Sequence, residues 1–170
     1  MFSTSSATAF DAAADGRAIC AGMEGDSASD AAICQTAFAA AVNADWTDPT
    51  GPSGCESIST NFDWKPCQAA VLDGTDVHRE GLLNGLIASY TSAQSDLASL
   101  DSAVGAGQVD PAADLRRAED QFLAYRTAQC EATSDLNVAG SGYSGFEAGC
   151  EIVLTRQHIR FLEFAARANG

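Results

Sequence analysis

Residues 110–160 read DPAADLRRAEDQFLAYRTAQCEATSDLNVAGSGYSGFEAGCEIVLTRQHIR, and this stretch decides the fold. Asp110-Pro111 has the form of a helix start, with aspartate as N-cap and proline at the first position, where its missing N–H costs nothing. Leu115, Ala118, Phe122, Tyr125, Gln129, Ala132 and Leu136 then recur at helical spacing and predict an inner face. Gly140 to Gly145 breaks the pattern. Ser144-Gly145-Phe146-Glu147 fits a capping box opening a second helix. On that helix Phe146, Cys150, Val153, Leu154, Phe161, Leu162 and Phe164 form the expected core face, and Arg156, Arg160 and Arg167 crowd its C-terminal half, where the helix dipole favours cations. The expectation is a helical hairpin with Cys130 and Cys150 tying its arms together.

The same kind of pattern runs upstream. An alanine-rich helix is expected over about Ser6–Ala21, and a second, capped by Ser29-Asp30, reaches about Trp46 with Ile33, Ala37, Ala40 and Ala41 on one face. Asp48 to Gly54 is the clearest loop. It separates an expected N-terminal helical extension, residues 1–54 with its own cysteine pair, from a helical domain over 55–170. A long helix is expected from about Cys67 to Val104, striped by Leu82, Leu86, Tyr90, Ala93, Leu97, Leu100 and Val104. Gly74, Gly81 and Gly85 weaken its first half, and Gly105 and Gly107 end it. Alternating strand-like runs are scarce. The fold class is therefore all-α, an up-and-down helical bundle stapled by disulfides.

Six cysteines stand at 20, 34, 55, 67, 130 and 150. There is no Cys-x-x-Cys, and neither His78 nor His158 sits at finger-like spacing from a cysteine pair, so no zinc site is expected. Fifteen pairings are open. The sequential set Cys20–Cys34, Cys55–Cys67 and Cys130–Cys150 is preferred because each pair brackets a break between helical segments. Oxidised cysteines imply a periplasmic or secreted protein. The residues after Met1 are Phe-Ser-Thr-Ser-Ser, without the apolar block of a secretory leader, so the expected form is the mature one. No transmembrane run is visible.

The 170 residues carry 23 acidic and 9 basic side chains, a net charge of −14. Twelve acids and three bases lie in residues 1–80. Such a surface repels nucleic acid and anionic lipid, both bound through lysine and arginine, and attracts a cationic protein. No catalytic motif of the serine-hydrolase, zinc-protease or P-loop kind is present. Asp114, Glu119 and Asp120 are read as acids on a solvated helix face, and both histidines as surface residues. Neither an enzyme nor a cofactor is expected.

Arg126 lies one turn before Cys130, and Leu154 one turn after Cys150. A bond between the cysteines therefore brings Arg126 to the Leu154–Arg156 turn. A seam arginine needs acceptors for five donors, and Thr155, Glu119 and helix-terminal carbonyls are the candidates. The alternative is an anion site made by Arg126 and Arg156. In the connecting loop, Ser141 and Tyr143 are the candidate partner-binding residues, an aromatic anchor with adaptable hydrogen bonding beside it.

Phe122, Tyr125, Arg126, Cys130, Cys150, Leu154, Thr155, Arg156 and Leu162 resemble, in kind and order, the motif of the lysozyme-inhibitor LprI-like family of bacterial envelope proteins. Phenylalanine stands at 122 where that family typically has tryptophan. Cys55, Cys67 and Leu83-Asn84 look like the family's first cysteine pair and its leucine-asparagine pair, whereas its following tyrosine is Ile87 here. The resemblance spans about residues 55–165. It implies a protein that binds and inhibits lysozyme-like muramidases, and many of these are strongly basic. The alternative of another class is a structural or accessory envelope protein that binds another protein or a small ligand between its helices.

Overall fold

The computed structural model describes residues 12–21, 23, 28–58, 60–100, 110–135 and 143–168. Five helices follow one another: α1 (Ala12–Cys20), α2 (Ala28–Val42), α3 (Asn61–Leu100), α4 (Pro111–Asp135) and α5 (Tyr143–Ala168). The described residues contain no strand. α3 is the spine, with α2 and α1 packed on its first half, α5 along it, and α4 closing an antiparallel hairpin with α5. The fold is the expected all-α, disulfide-stapled up-and-down bundle. Bonds join Cys20 to Cys34, Cys55 to Cys67 and Cys130 to Cys150.

Helix ends show why some boundaries differ from expectation. α3 starts six residues before Cys67 because Thr60 caps it. The Thr60 Oγ1 accepts the Asp63 N–H at 3.1 Å and donates to the buried Asp63 carboxylate at 3.1 Å. Pro66 is carried inside the helix. α2 stops at Val42, short of Trp46, because Ala44 takes φ 53° and the chain turns: Ala44 N–H bonds Ala41 O at 3.2 Å and Asp45 N–H bonds Ala40 O at 2.9 Å. That is a Schellman ending with alanine where glycine is usual. α2 also begins one residue before Ser29. α4 opens as expected, Asp110 Oδ1 accepting the Ala113 N–H at 2.9 Å. α5 starts at Tyr143, one residue before the Ser144 expected to cap it, and the side chain of Ser144 lies outside the described residues. The expected stops at Gly105 and Gly107, and residues 6–11 of the first expected helix, lie outside the described residues.

The core lies where α1, α2, the first half of α3 and α5 meet. Phe38, Ala37, Ala41, Ala70, Val71 and Ile152 are packed there with Cys20, Cys34, Cys55 and Cys67. Alanines and cysteines dominate, so the helices come close. Gly74 permits one such approach: a Cβ there would stand 2.9 Å from Phe38 O and 3.0 Å from the Ala41 Cβ. The helix runs unbroken through Gly74, Gly81 and Gly85, and a Cβ on either of the latter two meets nothing within 4 Å. Opposite outcomes follow. Gly74→Ala is expected to destabilise by about 1–3 kcal/mol through overpacking. Gly81→Ala is expected to stabilise by about 0.5–1 kcal/mol through helix propensity. Urea unfolding followed by circular dichroism distinguishes the two signs.

Two faces depart from the expected patterns. On α4 the buried residues are Ala112, Glu119, Cys130 and Ser134, with Ala118, Tyr125, Gln129 and Ala132 exposed. On α5 they include Ile152, Thr155, Arg156, Ile159 and Leu162, while Phe146, Phe161 and Phe164 are exposed. On α3 the stripe holds at Leu86, which is buried, and at half-buried Leu82 and Tyr90, but Ala93 is exposed. The side chains from Leu97 to Leu100, and residues 101–109, lie outside the described residues.

Candidate functional site

Three places in the bundle carry polar or aromatic groups beyond what packing needs. The first is a charged seam between α3, α4 and α5. Arg79 on α3, 3% exposed, donates through Nε to Asp76 at 2.9 Å and through Nη1 to Glu119 on α4. Glu119 accepts on its other oxygen from His158 Nε2 on α5 at 2.8 Å. The same Asp76 oxygen accepts from Arg126 Nη1 of α4 at 2.7 Å. Arg126 Nη1 also reaches Thr155 Oγ1 at 2.8 Å, and that hydroxyl donates to Glu151 O. One carboxylate therefore bridges two guanidiniums, and the chain His158–Glu119–Arg79–Asp76–Arg126–Thr155 laces three helices together.

Burial pushes the Glu119 carboxyl up, but the His158 hydrogen bond and the Arg79 charge outweigh it and hold the carboxyl below its usual range. It is ionised and accepts only, so the imidazole donates. The His158 ring also stacks on Phe122, centroids 3.9 Å apart and planes 10° off parallel. Burial, helped by the nearby Glu147, Asp76 and Glu131, outweighs the attraction of Arg126 and pushes the Glu151 carboxyl upward.

The second place is the 45–54 loop with Arg156. This guanidinium donates from Nη1 to Gly51 O at 3.2 Å and Pro52 O at 3.1 Å, and lies over the Trp46 ring 5.2 Å from its centroid. The loop is built by local acceptors. Asp48 Oδ1 takes the Thr50 N–H and hydroxyl, and Glu56 takes the Ser53 N–H and hydroxyl and the Gly54 N–H. A cavity of about 620 Å³ opens between this loop, α2 and Arg156.

The third place is an apolar cleft of about 390 Å³ at the start of α5, lined by Trp64, Gly145, Phe146, Gly149, Val153 and Leu154 together with Cys150. Trp64 lies so close to the helix that a Cβ on Gly145 would fall 1.8 Å from its ring. Phe146 stands edge-on to Trp64 at 6.5 Å and is 58% exposed. Phe62, two residues before Trp64, is 65% exposed.

The residues picked out from the sequence fall as follows. Arg126 meets Thr155 as the Cys130–Cys150 spacing predicts, but Glu119 goes to Arg79 and His158 instead. Arg126 and Arg156 face different partners, the first Asp76 and the second two carbonyls, so they do not form one anion site. Tyr125 is not on the seam. It is 54% exposed, because the bonds made by Arg126 and Glu119 turn the helix so that residues 119, 126 and 130 face inward. Phe122 and Leu154 are half-buried. Ser141 lies outside the described residues, as does the side chain of Tyr143, whose backbone opens α5. Glu119 is buried, and so is not one of a row of solvated acids, whereas Asp114 pairs with exposed Arg117. Both histidines are drawn inward: His78 Nδ1 donates to Val42 O at 2.9 Å, joining α3 to the end of α2. Asp76 and Arg79 were not singled out from the sequence. Their i, i+3 spacing was the one available signal.

The hairpin with its tyrosine-arginine, paired cysteines and leucine-threonine-arginine turn is the part of the chain that comparison recognises. Residues 82–162 match the family model described as Lysozyme inhibitor LprI. This segment is an LprI domain match. It takes in the second half of α3, all of α4 and α5 to Leu162, so it is narrower than the 55–165 of the sequence resemblance. Cys55, Cys67, Trp64, Asp76 and Arg79 lie outside it. No curated protein and no solved structure matches the chain. Within the matched segment, the motif residues Arg126 and Thr155 share a hydrogen bond, and Cys130 and Cys150 a disulfide. Arg156 and Asp76 connect the segment to the first half of the chain. No described helix is long and apolar enough to cross a membrane.

Proposed function

We propose that this protein is a periplasmic or secreted inhibitor of lysozyme-like muramidases that acts by steric blockade. The observation that carries the reading is the LprI match over the disulfide-tied α4–α5 hairpin. The net charge of −14 supports a basic partner, since opposite charge speeds encounter and sets orientation. Three disulfides and no free cysteine suit an oxidising compartment. The contact surface we assign is the start of α5, which opens at Tyr143 and carries exposed Phe146 and the Trp64 cleft, and we include Ser141 in it. Aromatic side chains with a shallow apolar cleft beside them are the usual anchors of such interfaces.

The test is inhibition of c-type, g-type and i-type lysozymes by the purified oxidised protein at low and moderate salt. The expected result is stoichiometric inhibition of at least one class, with an association rate that falls as salt rises. Tyr143→Ala and Phe146→Ala are each expected to weaken inhibition by about tenfold or more. Failure to inhibit any of the three classes refutes the inhibitor reading. Inhibition that both variants leave unchanged moves the contact surface elsewhere.

A further inference from the structure

We propose that the cavity between α2, the 45–54 loop and Arg156 binds a small molecule with a carboxylate on an apolar body. The proposal is independent of lysozyme inhibition and concerns a different face of the bundle.

Arg156 is 3% exposed. The other buried arginine, Arg79, meets three carboxylates on its own and neighbouring helices, and half-buried Arg126 shares one of them. Arg156 meets none among the described residues. Both of its hydrogen bonds leave from Nη1 and end on neutral carbonyls. The acids nearby are committed elsewhere. Glu56 is spent on Ser53 and Gly54, Asp48 on Thr50, and Asp45 is exposed. A buried cation with no carboxylate in contact is costly, and a carboxylate placed against it offsets that cost.

Two buried donors beside the cavity are unsatisfied. Arg156 Nε and Trp46 Nε1 have no acceptor, and both residues line the cavity. With Nη1 occupied and Nε buried, Nη2 is the guanidinium nitrogen left to meet a carboxylate in the cavity, by a charge-assisted hydrogen bond. The other wall is apolar: Ile33, Ala37 and Ala40 of α2, with Pro52 opposite. A volume of about 620 Å³ suits a small organic molecule rather than a lone ion. Burial lowers the Arg156 pKa, with only Glu56 opposing, which agrees with a charge that lacks its partner.

The probe is benzoate, with benzamide as its neutral counterpart, titrated into the full oxidised chain and followed by the tryptophan indole N–H signals in NMR. Trp46→Phe assigns the signal, since only Trp46 and Trp64 contribute. The expected result is a saturable shift at Trp46 with a Kd in the millimolar range, which is ordinary for so small a ligand. Benzamide is expected to bind about tenfold more weakly or not at all. Arg156→Gln removes the preference for benzoate. Because Arg156 also holds the 51–52 carbonyls, that variant loosens the loop as well. Ala32→Phe, at an exposed cavity-lining position on α2, then decides by filling the space with Arg156 intact, and it is expected to abolish the shift. The proposal is overturned by an unshifted Trp46 at about 50 mM benzoate. It is equally overturned by equal binding of benzamide, or by undiminished binding in Ala32→Phe.

Discussion

Reduction of the three disulfides is expected to unfold this protein at 37 °C. The loops they close span 14, 12 and 20 residues. Loops of that size stabilise by about 3 kcal/mol each when bridged, chiefly by restricting the unfolded chain. Three together approach the whole stability of an ordinary domain, about 5–15 kcal/mol. The core reinforces the argument, because alanines fill much of it and contribute less apolar area than leucines would. Far-ultraviolet circular dichroism against temperature, with and without dithiothreitol, reads the effect. The oxidised protein should melt cooperatively well above 37 °C. The reduced one should show little helix at that temperature. A reduced protein that keeps its melting transition within a few degrees would mean that the helix packing alone suffices.

Glu119→Ala is expected to cost about 3–5 kcal/mol and lower the melting temperature by roughly 10 °C. The carboxylate answers Arg79 from α3 and His158 from α5, so its loss leaves a guanidinium buried without that partner and breaks the lacing of three helices at its centre. Glu119→Gln keeps the shape and part of the hydrogen bonding and should lose less. The pH dependence has a definite sign. Because the folded-state carboxyl is held below its ordinary value, its stabilisation is fully present above that ordinary range. It is lost as pH falls through the lower folded value. The difference between wild type and Glu119→Gln should therefore be largest at neutral pH and shrink in acid. Urea unfolding at a series of pH values checks this, and a difference that grows in acid would contradict the assignment.

The hairpin was legible because its signals are local. Asp110-Pro111 announces a helix start, and Cys130 and Cys150 sit one turn from residues that must then meet. The faces of α4 and α5 were less legible for a physical reason. Apolar periodicity assumes that buried means apolar, and here the inward residues of α4 include Glu119 and Arg126. Counting apolar residues rotated the expected face by one position, which placed Tyr125 inside and Glu119 outside. On α5 the same assumption buried Phe146, Phe161 and Phe164, while Thr155 and Arg156 hold the inner places. The start of α3 fell earlier than the expected Cys67 because Thr60 and Asp63 cap it and Pro66 is carried inside the helix. The ending of α2 had no glycine to mark it. The charged seam itself joins residues 40 and 50 positions apart, Arg79 to Glu119 and Asp76 to Arg126, and nothing local in the sequence pairs them.

The bonds from Arg156 to Gly51 O and Pro52 O reach back 105 and 104 residues. Seen as a matter of timing, they put the two ends of the chain on different clocks. Cys20–Cys34 and Cys55–Cys67 can close soon after their own residues emerge, since each needs only a neighbouring segment. The 45–54 loop must wait for the last helix. At about 5–20 residues per second that interval is roughly 5–20 s, during which a newborn chain holds both partners of its first two staples but not the residue that fastens its loop. A chain cut short before residue 156 cannot make those bonds, so the first half of this protein is fastened by its last helix.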